Sequence, residues 1–187
     1  MVILIGGASH TGKTLMAQRL LEKYKYPYLS IDHLKMGLYR ANIGCGFTPL
    51  DSAEFIGEKL WPVLKGIIMT NIENNQNIII EGCYILPQKV LELEDGYLNR
   101  VIPLFLGFSQ DYVEKFFQTK ILRHRNIIES RAHDDDMAIN EYVKDNKKQK
   151  EHCLLANMQY FEITADYEAE MRDVYIWIDK ELSKRRC

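Results

Sequence analysis

Cysteine and proline are both scarce in this 187-residue chain, and neither sign of charge dominates it. The four cysteines show no C-x-x-C spacing, so neither a metal knuckle nor a disulfide framework is indicated. A net charge of −2 provides no general electrostatic attraction to nucleic acid or to membranes. No apolar run approaches the length of a membrane span. We therefore expect a cytoplasmic protein with reduced thiols that binds neither nucleic acid nor membranes.

Low-complexity linkers and internal repeats are absent as well, so we expect residues 1–187 to form one domain. An apolar content of 47% is sufficient for one substantial core. The apolar start of the chain turns into glycine too early for a secretory signal peptide. The sequence leaves the oligomeric state open.

The strongest functional signal is the segment Gly7–Thr14, which fits the phosphate-loop pattern G-x-x-x-x-G-K-[ST] at every fixed position. An apolar, strand-like run, Val2–Ile5, precedes it, and a helix-like run, Leu15–Tyr24, follows it. The backbone N–H groups of such a loop converge on a phosphate, and the helix adds a partial positive charge. Lys13 can reach the β- and γ-phosphates, and the Thr14 hydroxyl can ligate Mg²⁺.

A dinucleotide-binding fingerprint is excluded, because it would need glycine at Ser9. The N-K-x-D tetrapeptide that usually selects guanine is also absent. The predicted nucleotide-binding residues are Gly7, Ala8, Ser9, His10, Thr11, Gly12, Lys13 and Thr14.

Short apolar runs alternate with amphipathic ones, a pattern typical of an α/β domain with a mostly parallel sheet. Pro103 makes the fourth predicted strand less regular, because proline has no backbone N–H to donate to a neighbouring strand. A closing helix is expected at 167–182. The five predicted strands are Val2–Ile5, Tyr28–Ile31, Asn77–Glu81, Val101–Leu106 and Tyr160–Ile163.

Helix ends and breaks can also be predicted. Asp51 and Glu54 have capping-box spacing, so Asp51 is expected to cap the helix that follows. Pro62 should kink that helix or divide it in two. Ser109 is expected to cap the helix after the fourth strand.

Two carboxylates lie at the predicted carboxyl ends of strands, which share one edge of a parallel sheet. Glu81 is a candidate ligand of Mg²⁺, directly or through water. Asp32 could accept a proton from an attacking hydroxyl or orient it for in-line attack on a γ-phosphate. Asp32 could equally cap the next helix, and one residue can serve both purposes. Tyr84 could line an acceptor pocket at this edge.

Two neighbours of Asp32 could touch an acidic acceptor. They are His33 and Lys35, and we expect both to lie on a solvated helix surface instead.

Arginines follow the helix that begins near Ser109. Planar guanidinium cations can stabilise the negative charge on a phosphoryl group during its transfer. A lid segment at about 123–136 that carries them could close over bound nucleotide. The alternative is a solvated basic segment neutralised by neighbouring aspartates. The three candidate catalytic arginines are Arg123, Arg125 and Arg131.

With these motifs together, the chain resembles the nucleoside-monophosphate-kinase branch of P-loop phosphotransferases. The resemblance implies a three-layer α/β/α P-loop NTPase fold with a five-stranded parallel sheet in the order 2-3-1-4-5. It also implies ATP and Mg²⁺, a separate acceptor pocket, a lid, and adenine contacts in the stretch after Ile163. Within the branch, Glu81–Pro87 looks most like the E-G-x-x-x-x-P segment of 2-phosphoglycerate kinases.

We therefore predict an ATP- and Mg²⁺-dependent kinase that phosphorylates a small molecule, on a hydroxyl. In this prediction Lys13, Asp32 and the arginines are catalytic, and Thr14 and Glu81 face the metal. Three alternatives remain open: a nucleoside or nucleotide kinase, a toxin-type kinase, and an ATP-binding switch with slow hydrolysis and a protein partner.

Overall fold

A computed structural model describes residues 1–41, 44–124 and 138–186 of the chain. Its centre is a five-stranded sheet in the order β2-β3-β1-β4-β5, in which every neighbouring pair is parallel. The predicted fold class and strand order are confirmed. The strands are β1 (Val2–Gly7), β2 (Tyr28–Ser30), β3 (Ile78–Glu81), β4 (Val101–Phe108) and β5 (Gln159–Ile163).

Helices connect the strands and cover both faces of the sheet. A π-helical segment, Phe117–Ile121, joins the sixth helix to the seventh. None of the described helices has the length and apolar character needed to cross a membrane. The helices are α1 (Lys13–Tyr24), α2 (Ile31–Arg40), α3 (Ala53–Glu73), α4 (Pro87–Val90), α5 (Asp95–Leu98), α6 (Gln110–Phe116), α7 (Leu122–His124), α8 (Ile139–Leu155) and α9 (Tyr167–Arg186).

The alternation of side chains along β1 divides the core into two layers. Ile3 and Ile5 face the layer that includes apolar residues of α1, α6 and α9. Val2 and Leu4 face the opposite layer, whose helical part comes mainly from α3. All four of these β1 side chains are fully buried, as expected for a strand covered on both faces. The carboxyl end of β1 is therefore held rigidly between two packed layers.

Helix α3 differs from the prediction at its start and in its middle. Ser52 is the N-cap, and its hydroxyl accepts a hydrogen bond from the Phe55 N–H at 3.2 Å. Asp51 instead accepts a bond from the Thr48 N–H in the preceding turn. Pro62 lies inside one helix of 21 residues, so the predicted division is wrong. Its exposed position leaves water available to the carbonyl that loses a donor, and the apolar face on either side stays packed against the sheet.

The proline of β4 is accommodated in the middle of the sheet. Pro103 lies opposite Leu4 of β1. The pairing of β4 with β5 begins only at Leu104, so the ladder on that side needs no donor from Pro103.

Candidate functional site

The phosphate loop joins β1 to α1 and is bounded by two glycines with positive φ. Gly7, the last residue of β1, has φ 129°, and Gly12, the N-cap of α1, has φ 86°. A Cβ on Gly7 would overlap the backbone of Leu106 in β4, and one on Gly12 would overlap the hydroxyl of Tyr167. Both positions therefore require glycine, for backbone conformation as well as for space.

The backbone N–H groups of the loop are largely unused by the protein. The Ala8 N–H donates a hydrogen bond to the Leu106 carbonyl at 3.3 Å. Five other N–H groups of the loop have no hydrogen-bond acceptor among the described residues. Unused donors at a helix N-terminus form a binding site for an anion such as a phosphate. The five groups belong to Ser9, Thr11, Gly12, Lys13 and Thr14.

Two tyrosines from distant helices hold the loop carbonyls. Tyr142 of α8 donates a hydrogen bond to the Ser9 carbonyl, and Tyr167 of α9 lies 3.4 Å from the Thr11 carbonyl. Within a trans peptide the C=O and the following N–H point in opposite directions, so these bonds turn the N–H groups of His10 and Gly12 away from the tyrosines. Burial raises the pKa of both phenols, which therefore stay protonated and able to donate.

The Lys13 side chain folds back across the loop. Its Nζ donates to the Ala8 carbonyl at 2.7 Å, and the Thr11 hydroxyl donates to the same oxygen at 2.9 Å. The Lys13 side chain is buried. The His10 ring stacks on Tyr142, with ring centroids 6.0 Å apart. The loop thus carries an ammonium group and N–H donors in one place, which is the chemistry needed to bind a polyphosphate.

The residues predicted to face a metal lie on adjacent elements. Glu81 is buried and ends β3, where it pairs with Ile5 of β1, two residues before Gly7. Thr14 lies in the first turn of α1. A hydroxyl and a carboxylate are the hard oxygen ligands that Mg²⁺ accepts. No group of three or more His, Cys, Asp or Glu side chains suited to a metal occurs among the described residues, so phosphate oxygens and water would have to complete the shell.

Asp32 belongs to a cluster with Lys35 and Tyr84. Asp32 lies in the first turn of α2, directly after β2. The Lys35 Nζ lies 3.1 Å from Asp32 Oδ1 and 2.5 Å from the Tyr84 hydroxyl, which itself lies 3.4 Å from the same carboxylate oxygen. The surface position expected for Lys35 is therefore wrong, since the residue is 8% exposed. The expectation holds for His33, which is exposed.

The pairing of β2, β3 and β1 places this cluster at the same edge of the sheet as the phosphate loop. Ser30 of β2, two residues before Asp32, pairs with Glu81 of β3, and Glu81 pairs with Ile5 of β1, two residues before Gly7. The phosphate loop and the Asp32 cluster therefore lie at the same carboxyl edge of the sheet.

Burial raises the pKa of the Cys83 thiol, while the charges of Lys13 and Lys35 lower it and that of Asp32 raises it.

Of the three predicted arginines, only Arg123 lies within the described residues, where it is exposed on α7. Arg125 and Arg131, with most of the segment 123–136, lie outside them.

Two residues that build the site were missed from the sequence. Tyr142 and Tyr167 lie 133 and 156 residues from the carbonyls they contact. No local pattern marks them, because a tyrosine on a helix is most often a packing residue.

Comparison with solved structures identifies proteins of similar architecture. The chain is similar to shikimate kinase from Aquifex aeolicus (TM-score 0.54, 14% identity, 97% of this chain and 98% of that one). It is also similar to a putative kinase from Chloroflexus aurantiacus (TM-score 0.55, 18% identity, 96% of this chain and 97% of that one). A third similar structure is that of deoxyadenosine kinase from M. mycoides (TM-score 0.53, 13% identity, 96% of this chain and 100% of that one). No protein-family model and no curated protein matches the sequence. At these identities the likeness shows the fold alone, which this chain shares with these three proteins.

Proposed function

We propose that this chain is an ATP- and Mg²⁺-dependent kinase that transfers the γ-phosphoryl group to a hydroxyl of a small molecule. The observation that carries the proposal is the row of unused N–H donors and the Lys13 ammonium at the same edge of the sheet as Asp32. A polyphosphate site beside a carboxylate at the sheet edge provides both halves of a phosphoryl transfer.

In the proposed reaction the acceptor oxygen bonds to the γ-phosphorus while the bond to the β,γ-bridging oxygen breaks, and ADP leaves with the electron pair. Asp32 orients the attacking hydroxyl and accepts its proton. Lys13 and the loop amides hold the charge that develops on the leaving side. Bound Mg²⁺, held by Thr14 and facing Glu81, would neutralise polyphosphate charge. Arg123, Arg125 and Arg131 are proposed to stabilise the transferring group.

An acceptor screen tests this proposal. MgATP consumption is measured with hydroxy acids, sugars, phosphorylated alcohols including 2-phosphoglycerate, nucleosides and nucleotides. A small-molecule kinase consumes ATP much faster with one chemical class, and its product carries the new phosphate in ³¹P NMR. The segment Glu81–Pro87 supports the inclusion of 2-phosphoglycerate.

The likeness to deoxyadenosine kinase supports one alternative, a nucleoside or nucleotide kinase. Stimulation confined to nucleosides or nucleotides would select that alternative. If no acceptor raises turnover and ATP binding instead controls a protein contact, the kinase proposal fails.

A further inference from the structure

Lys35 is a buried cation beside the proposed reaction centre. Its side chain is 10% exposed, and its Nζ lies 4.7 Å from the centroid of the Tyr84 ring. The phenol hydroxyl, at 2.5 Å, holds the ammonium from one side, and Asp32 Oδ1, at 3.1 Å, holds it from another. Burial of an ammonium group costs free energy unless hydrogen bonds and an opposite charge compensate it.

The hydrogen bonds of Lys35 leave part of its capacity unused. An ammonium group has three N–H donors. Within the described residues, Tyr84 and Asp32 accept from Lys35 and no further acceptor does. One donor of a buried positive charge is thus available to a ligand oxygen, and an anionic oxygen forms the stronger bond.

The location of Lys35 narrows the kind of ligand. Asp32, the proposed partner of the attacking hydroxyl, is bonded directly to Lys35. A ligand oxygen on Lys35 therefore lies close to the reacting oxygen, within the span of a few bonded atoms. Asp32 follows Ser30 of β2, which pairs with Glu81 of β3, and Glu81 pairs with Ile5 of β1, so this position lies at the sheet edge that contains the phosphate loop.

We infer that Lys35, positioned by Tyr84, selects an acceptor that carries a carboxylate or phosphate group next to the hydroxyl to be phosphorylated. This inference rests on the proposed kinase function and adds the class of acceptor to it. A purely structural role, in which Lys35 only fastens α2 to the segment after β3, predicts a loss of stability with no change in ligand preference.

Three ligands with one carbon skeleton separate these roles: glycerol, D-glycerate and glycerol 3-phosphate. The first is neutral, the second adds a carboxylate and the third a phosphate. Each is titrated by ligand-observed NMR into protein saturated with MgADP, so that the phosphate loop is already filled. We expect at least one charged ligand to bind and glycerol not to bind, and the stronger of the two identifies the anionic group.

Variants assign the preference to Lys35. Lys35→Met should weaken binding of the charged ligand by about 10- to 100-fold, the loss of a charge-assisted hydrogen bond, and leave MgADP affinity unchanged. Tyr84→Phe should weaken it by about 2- to 10-fold, because the ring stays and the hydroxyl is lost. The matched control is Lys184→Met, which removes another lysine of an i,i+3 ion pair, on the exposed surface of α9, and should change nothing.

Each remaining outcome counts against a specific claim. If the unmodified protein does not bind MgADP, the proposed kinase function and this inference are both overturned. Three results obtained with normal MgADP binding would overturn the role of Lys35 alone. Glycerol binds as strongly as the charged ligands, neither charged ligand binds up to tens of millimolar, or Lys35→Met binds the charged ligand as strongly as the unmodified protein does. Thermal unfolding of each variant is recorded, and a variant that is unfolded is replaced by Lys35→Arg, which should retain the preference for the charged ligand.

Discussion

At the scale of single residues, the site combines positions that a pattern identifies with positions that only the fold reveals. The fixed residues of Gly7–Thr14 could be predicted because each has a local chemical requirement. Lys35 could not, because its burial depends on Tyr84, which lies 49 residues away in the chain. The roles of Tyr142 and Tyr167 could not be predicted for the same reason, because their contacts to the loop carbonyls also join residues far apart in the chain. Sequence therefore predicts what binds a phosphate better than what holds the binding loop in shape.

Asp32→Asn tests the acceptor side of the site. If Asp32 accepts the proton, turnover should fall by about 10²- to 10⁴-fold while MgATP still binds. The matched control is Asp111→Asn, since Asp111 also lies in the first turn of a helix and is exposed. Turnover with saturating acceptor and ATP affinity by calorimetry are the measurements. Unchanged turnover in the Asp32 variant would remove this residue from the mechanism.

Gly12→Ala tests the conformation of the loop. The added Cβ meets the Tyr167 hydroxyl at a position whose φ is 86°, so we expect loss of nucleotide binding together with lower stability. Gly66→Ala is the control, because Gly66 lies within α3 with open space around it. That change should raise the free energy of unfolding by about 0.5–1 kcal/mol. Equal nucleotide affinity in both variants would contradict the assigned role of Gly12.

At the scale of elements, apolar periodicity correctly predicted all five strands and the closing helix. It failed where side-chain chemistry competes locally. Asp51 and Ser52 are both good N-caps, and only the turn that uses Asp51 to bond the Thr48 N–H leaves Ser52 as the cap. Of the two outcomes predicted for Pro62, a kink or a division, the division does not occur, for another reason. The packed faces of α3 on either side of the proline compensate for one missing hydrogen bond.

Pro62→Ala measures what that proline costs. The substitution restores an N–H donor in the helix interior at an exposed position, so the free energy of unfolding should rise by roughly 1–3 kcal/mol. Val63→Ala, at the adjacent exposed position, should change it far less. Urea denaturation of both variants gives the comparison. A lower stability for Pro62→Ala would mean that the helix needs the restricted φ of proline.

At the scale of the whole molecule, the order of the sheet brings the site together. β1 lies between β3 and β4, so the loop at its end is flanked by Glu81 on one side and by the backbone of Leu106 on the other. The alternation of strands and helices predicted this class of fold, whereas the resemblance to a known branch supplied the strand order. This strand order brings together chain segments that are far apart in sequence.

Nucleotide binding should therefore stabilise the entire domain. At 100 times its dissociation constant a ligand adds about 2.7 kcal/mol, which corresponds to a rise in Tm of roughly 5–10 °C for a chain of this size. Lys13→Ala should abolish that rise, because the polyphosphate loses its ammonium partner. Differential scanning calorimetry with and without MgATP provides the measurement. A full shift in the Lys13 variant would place the nucleotide somewhere other than the loop.

The tyrosine contacts also set an order of events during biosynthesis. The loop leaves the ribosome before Tyr167, whose hydroxyl faces the Thr11 carbonyl and which is added 156 residues after Thr11. Until α8 and α9 have docked, the peptide groups of the loop lack the anchors that fix their orientation. A nascent chain should consequently gain affinity for ATP only after α8 and α9 have been translated and have reached the sheet.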